Sequence, residues 1–264
     1  MRGILGWGVH LPRGRLDRSQ IAELVGSGGG KGTRAVASYD EDTTTMAVEA
    51  GRNVLRAGGA EPAALWLATT TPAYLDKTNA TAVHAALRLD RSAPAYDAVG
   101  SVRSTAGALR AAIDGSGTAL VIGSDVRTGR PGSADEAAGA DAAAAVLVGD
   151  DTDGTVLAEL IGRAAATEEF LDRWRVPGDA GSRQWEERFG ETKYAPLAAE
   201  ALKAAIGDAR LGVGEVDALV IAGLHERACA TSAKQSGVEP DRIVDRLAGA
   251  IGNPGAAQPL LLLS

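Results

Sequence analysis

Apolar residues recur along this chain in short runs separated by amphipathic stretches, and the alternation predicts its elements. Ile4–Val9 reads as a first strand, and Asp17 or Ser19 begins a short helix through Leu24. Gly26–Gly32 is a glycine-rich loop that carries Lys31. Over Asp42–Leu55 the spacing predicts a helix, with Thr43 to Thr45 as its cap and Met46, Val48, Ala50, Val54 and Leu55 as its apolar positions. Leu65–Ala68 is a short strand running into Thr69, Thr70 and Thr71, and Asn79–Leu89 is a helix with Ala82, Val83, Ala86 and Leu87 inward. A strand near Ala95–Val99, a turn at Gly100-Ser101, a helix from Thr105 to Ile113 and a buried strand Ala119–Ile122 ending at Ser124-Asp125 follow. Ala142–Val148 and Gly154–Ile161 read as an antiparallel pair. Helices alternating with short apolar strands predict α/β architecture, with a covered, mostly parallel sheet.

Residues 164–196 break this rhythm. They hold Trp174, Trp185, Phe170, Phe189 and many charges, and read as an insertion or cap between a first half (1–163) and a second (197–264). The second half restarts the order: helix Leu197–Ile206, strand Ala218–Ala222, helix Thr231–Ser236, a segment Asp241–Leu247, a turn at Gly252-Asn253-Pro254-Gly255, and a helical stretch Ala256–Leu263. It repeats the first half up to the helix after the glycine turn, so a further strand and a closing hairpin are expected after Ser264. The apolar run Leu260–Leu263 reads as a truncation point.

Composition narrows the function classes. A chain of 264 residues is long enough for a large core, and with only 4% aromatic residues that core packs small side chains. The net charge of −7 argues against a nucleic-acid partner. With one cysteine, Cys229, no intramolecular disulfide forms, which points to a reducing compartment and a cytoplasmic location. No signal peptide is visible and no apolar run approaches the length of a membrane span. Gly28-Gly29-Gly30-Lys31-Gly32-Thr33 fails the phosphate-loop pattern because Gly32 stands where Ser or Thr must follow the lysine. No His/Cys/Asp cluster has metal-ligand spacing.

Four segments are specific. Tyr39–Ala50 resembles the segment opening the corresponding helix of archaeal-type 3-hydroxy-3-methylglutaryl-CoA synthases, and Ala68–Leu87, with Lys77-Thr78-Asn79-Ala80-Thr81, resembles the strand, loop and helix that follow. Gly123-Ser124-Asp125 and Gly139-Ala140-Asp141-Ala142-Ala143-Ala144 resemble the family's strand end and its Gly-Asp-Gly-Ala-Ala-like motif, and Ile251-Gly252-Asn253-Pro254 resembles its Ile-Gly-Asn turn. In this order they resemble the thiolase superfamily, on the side of these synthases and ketoacyl synthase III. The resemblance implies duplicated βαβαβαββ halves layered α-β-α-β-α, the second incomplete. It also implies a CoA thioester as substrate or ligand, no tightly bound cofactor, and a homodimer formed through the sheet edge near the nucleophile turn.

The resemblance also implies a chemistry whose residues are altered here. The family uses a cysteine at a buried helix N-terminus, where backbone N–H groups lower the thiol pKa and hold an oxyanion. Aligning Thr105-Ala106-Gly107 with the family's Thr-Ala-Gly puts Ser101 in the cysteine's place. The family's glutamate falls at Thr70, and its histidine at Ala222 with His225 three residues on. Asn253 matches the second-half asparagine that donates to a thioester carbonyl. Two readings of Ser101 stand: a nucleophile with His225 as base, or a small turn residue beside a helix. Arg103 is a candidate for a CoA phosphate or an acyl carboxylate, Lys31 or Arg34 for a CoA phosphate, and Tyr74 for a phenolic acid. His84, His10, Asp125 and Cys229 read as structural. Three functions fit: acyl transfer or Claisen-type condensation on acyl-CoA; a retro-aldol lyase working with an OB-fold and zinc-ribbon partner; or a non-catalytic subunit.

Overall fold

The computed structural model describes residues 1–26, 28–179 and 181–264; Ser27, in the glycine loop, and Ala180, in the inter-half segment, lie outside the described residues. The chain divides into two compact units, Met1–Glu159 with Leu247–Ser264, and Leu160–Arg246.

The first unit is built on one six-stranded sheet. Its elements in chain order are β1 (Arg2–His10), β2 (Gly14–Asp17), α1 (Ser19–Val25), β3 (Thr33–Val36), α2 (Thr43–Arg56), β4 (Ala64–Thr69), α3 (Ala80–Leu87), β5 (Ala95–Val99), α4 (Ser104–Asp114), β6 (Ala119–Asp125), α5 (Ala134–Ala138), β7 (Ala142–Asp150) and β8 (Ala158–Glu159). The sheet runs β5-β4-β6-β7-β1-β8, and β2 and β3 form a separate ribbon. β4 is parallel to both β5 and β6, whereas β7 is antiparallel to β6 and to β1. The sheet is therefore mixed rather than mostly parallel.

Two-residue periodicity sorts the core onto the two faces. Leu65, Leu67, Leu120, Ile122, Ala143, Ala145 and Leu147 pack under α2 and α3 with Met46, Ala47, Ala50, Val54 and Val83. Ala68, Val121, Ala144, Val146 and Val148 pack on the opposite face with Ala108 and Ala112 of α4 and with Leu260 and Leu261 of the closing helix, Gln258–Leu263. The alanines of β7 allow this closeness: Ala142 to Ala145 are all essentially inaccessible. α2 lies against β1 so tightly that a Cβ on Gly8 would stand 2.6 Å from the Ala50 carbonyl oxygen.

One pairing differs from the sequence expectation. Residues 142–148 and 154–161 do not pair as a hairpin; β1 lies between β7 and β8 and pairs antiparallel with each. Strands adjacent in sequence usually pair, but here the amino-terminal strand fills the slot, a choice that no local signal in either strand encodes.

The second unit is mainly helical. β9 (Arg173–Trp174) and β10 (Arg183–Gln184) form a minimal ribbon, and α6 (Glu187–Asp208) and α7 (Glu226–Gln235) follow. α6 begins ten residues before the expected Leu197 and carries Pro196 within it. Ala218–Ala222, expected as a strand, has one parallel bridge among the described residues, Leu219 to Ile243. No helix among the described residues is long and apolar enough to cross a membrane.

Candidate functional site

The parallel strands β4, β5 and β6 end at the same edge of the sheet, at Thr69, Val99 and Asp125. Carboxyl ends of parallel strands are where α/β folds collect functional residues, and four sequence-singled segments meet here. Asp125 is fully buried. Its carboxylate accepts from Thr69 Oγ1 (2.9 Å), the Thr70 N–H (2.6 Å), Thr70 Oγ1 (2.8 Å), Thr71 Oγ1 (3.3 Å) and the Ala256 N–H (2.8 Å). A buried carboxylate survives when hydrogen bonds replace its hydration, and the threonine run at the end of β4 supplies most of them.

Through Asp125 the Thr70 strand end is tied to the Asn253–Ala256 turn. That turn requires its glycine: Gly255 has φ +55°, and a Cβ there would lie 2.2 Å from Asp125 Oδ2. Asn253 is buried, its backbone bonds Ala138 and Ala140, and its Oδ1 accepts from the Gly255 N–H at 3.0 Å. The Ser101 turn borders the same cluster, because the Gly100 N–H donates to the Thr69 carbonyl (3.2 Å) and Thr105 Oγ1 to the Ala256 carbonyl (2.6 Å). Ser101 itself is exposed, and its Oγ accepts from the Arg103 N–H at 3.2 Å within the turn.

The remaining sequence candidates divide. Arg103 stands at the N-cap of α4 with an exposed side chain that makes no cap bond. Tyr74 is 58% exposed, with Lys77 Nζ 5.6 Å from its ring centroid. Lys31 is exposed in the glycine loop. His225 belongs to the second unit. Its Nδ1 accepts from the Ala228 N–H (3.0 Å), capping α7, and its Nε2 bonds the Glu187 carbonyl (2.8 Å), which makes Nε2 the protonated nitrogen. Cys229, in the same helix, is buried, and burial pushes its thiol above the ordinary range, so it is a poor thiolate.

Two groups escaped the sequence reading. Arg127 Nη1 donates to Thr70 Oγ1 at 3.0 Å, and its backbone is clamped on both sides: its N–H donates to Asp141 Oδ1 (2.7 Å) and its carbonyl accepts from Arg34 Nη2 (2.8 Å). Arg34 and Asp141 form a buried ion pair at 3.4 Å. The Gly-Ala-Asp motif pointed to Asp141, but nothing local pointed to Arg127. His10, for which the sequence offers no partner, bonds Glu41 Oε1 through Nε2 at 2.6 Å beside a cavity of about 440 Å³. Burial pushes the Glu41 carboxyl up, yet the bonds from Ser38 and His10 outweigh it and hold the group below the ordinary range. Among the described residues no group of three His, Cys, Asp or Glu side chains could hold a metal ion.

No protein-family model matches the chain. The hydroxymethylglutaryl-CoA synthase of Thermococcus sibiricus is 29% identical over 272 residues, which cover 99% of this chain and 77% of that protein. Among solved structures, 3-oxoacyl-(acyl carrier protein) synthase III, FabH, from Pseudomonas aeruginosa superposes with a TM-score of 0.86 at 20% identity, over 99% of this chain and 88% of that one. MvaS in complex with 3-hydroxy-3-methylglutaryl coenzyme A superposes with a TM-score of 0.80 at 20% identity, over 99% and 75% of the two chains. The chain thus has the thiolase-type fold of these two structures, and its sequence is similar to that of hydroxymethylglutaryl-CoA synthase.

Proposed function

We propose that this protein binds an acyl-CoA thioester at the carboxyl ends of β4, β5 and β6 and acts in acyl transfer or Claisen-type condensation, with Ser101 in the nucleophile's place. The carrying observation is the assembly around Asp125: the Thr70 strand end, the Asn253 turn and the border of the Ser101 turn are joined by direct hydrogen bonds. The solved MvaS complex with 3-hydroxy-3-methylglutaryl coenzyme A adds support. In the transfer step the serine oxygen bonds to the acyl carbon, the carbon–sulfur bond breaks, and the serine proton passes to the departing CoA sulfur; His225, with both ring nitrogens engaged in its own unit, is not placed as the base. Asn253 is the candidate donor to the thioester carbonyl. Thr70, Arg103, Tyr74 and Lys31 are the candidate substrate contacts.

One observation favours a second reading, a non-catalytic acyl-CoA-binding subunit. Ser101 Oγ is exposed and accepts from its own turn rather than bonding a base in its own unit. Incubation with acetyl-CoA and related thioesters, followed by peptide mass spectrometry, separates the two. An acyl adduct on Ser101 that disappears in Ser101→Ala supports transfer. Binding without an adduct supports the subunit reading, and absence of binding overturns both.

We also propose a homodimer through β5. That strand has one open edge, and Tyr96 (44% exposed) and Val99 (51%) stand on it beside the Ser101 turn. A cytoplasmic location accords with the single, unpaired cysteine.

A further inference from the structure

We infer that a second ligand site lies in the cavity between the β1–β2 and β3–α2 connections, and that it takes a small zwitterion of the free α-amino acid class. His10, Leu11, Arg13, Ser38, Asp40 and Glu41 line this space of about 440 Å³, a volume in the range of small-molecule sites. Both connections are anchored. β2 and β3 pair from Gly14–Val36 to Asp17–Thr33, His10 ends β1, and Glu41 directly precedes the Asp42 cap of α2. The cavity stands apart from the Ser101 turn, because β1 and β5 are four strand spacings apart in the sheet, about 19 Å. The inference is therefore independent of the acyl-CoA reading.

The charges around the cavity select the ligand. Glu41 is engaged internally: its Oε1 lies 2.6 Å from His10 Nε2, and its Oε2 accepts from the Ser38 N–H at 2.7 Å. In the neutral imidazole Nε2 then carries the proton, which leaves Nδ1 as an acceptor. Asp40 accepts from Ser38 Oγ. Among the described residues neither Asp40 nor Arg13 has an ion-pair partner, and the two do not pair with each other. A simple anion would meet Arg13 but also two carboxylates. A simple cation would meet Asp40 but also the guanidinium. A ligand carrying both charges uses both: its carboxylate takes the planar fork of Arg13, and its ammonium donates to Asp40 and His10 Nδ1. Leu11, partly buried, adds an apolar wall for a side chain.

The test is proton NMR on the full chain, titrated with L-leucine, with isocaproate, which lacks the ammonium, and with isoamylamine, which lacks the carboxylate. The chain has three histidines, so their imidazole resonances can be followed separately, with His10→Gln assigning that of His10. Leucine should shift the His10 resonances saturably and leave those of His84 and His225 in place. Each truncated probe should bind about fivefold more weakly, the scale of one solvent-screened charge contact. Arg13→Gln should weaken leucine and isocaproate but not isoamylamine, and Asp40→Asn should weaken leucine and isoamylamine but not isocaproate. Both residues are exposed, so these substitutions leave the core intact. No saturable shift with leucine, equal shifts at all three histidines, or a truncated probe that binds as tightly as leucine overturns the inference. So does a variant that loses all three probes alike, which would mark a purely structural role.

Discussion

A carboxylate buried at the end of a strand must find donors, and Asp125 finds them on two distant segments, the Thr69–Thr71 strand end and the Ala256 backbone. Replacing it with alanine would leave several buried donors without a partner, at about 1–3 kcal/mol each before relaxation. Asp125→Ala is therefore expected to lower the unfolding free energy by roughly 3 kcal/mol or more in urea titration. Asp125→Asn should fall between, because an amide keeps the volume but turns one acceptor into a donor facing donors. The sequence marked both Asp125 and the threonines as strand ends, yet gave Asp125 only a capping or ion-pairing role. Their partnership spans more than fifty residues, so it is set by strand order and not by spacing. Arg127 was illegible for the same reason, since its partner Thr70 follows a different strand, β4.

Among the elements, α2 was the clearest from sequence, and its start shows what local chemistry fixes. Asp42 accepts from the Thr45 N–H at 2.7 Å, and Thr45 Oγ1 accepts from the Asp42 N–H at 2.7 Å, a reciprocal capping box. The cap is thus Asp42 rather than Thr43 to Thr45. Asp42→Ala should destabilise the protein by about 1 kcal/mol, read as a lower thermal midpoint with unchanged helical signal. β5 matched its expected span, Ala95–Val99, and α4 and β6 extended theirs by one to three residues, because short alanine-rich or branched runs carry their own periodicity. Ala218–Ala222 did not become a strand, since apolar character makes a strand only where a neighbour offers a ladder, and among the described residues it has one bridge. The pairing of β7 and β8 with β1, not with each other, has the same origin: a strand's neighbour is a tertiary fact.

For the whole molecule, the open edge of β5 is the feature with a direct consequence. A strand at the end of the sheet order, with exposed Tyr96 and Val99, is a template for another strand. Light scattering coupled to size exclusion is expected to give twice the 26.8 kDa chain mass, and Val99→Lys to shift it to the single chain; a native monomer would rule out this assembly. The sequence by itself determined the α/β class, most helices and strands of the first unit, and the family resemblance, because amphipathic periodicity, caps and turn glycines act over a few residues. The tertiary structure alone decided the mixed order of the sheet, the burial of Asp125 among three threonines, the reach of Arg127 to Thr70, and the commitment of His225 to capping a helix in its own unit. Each of these depends on which distant backbone segments come to lie side by side, and that is settled by competition for burial across the whole chain, which no local window contains.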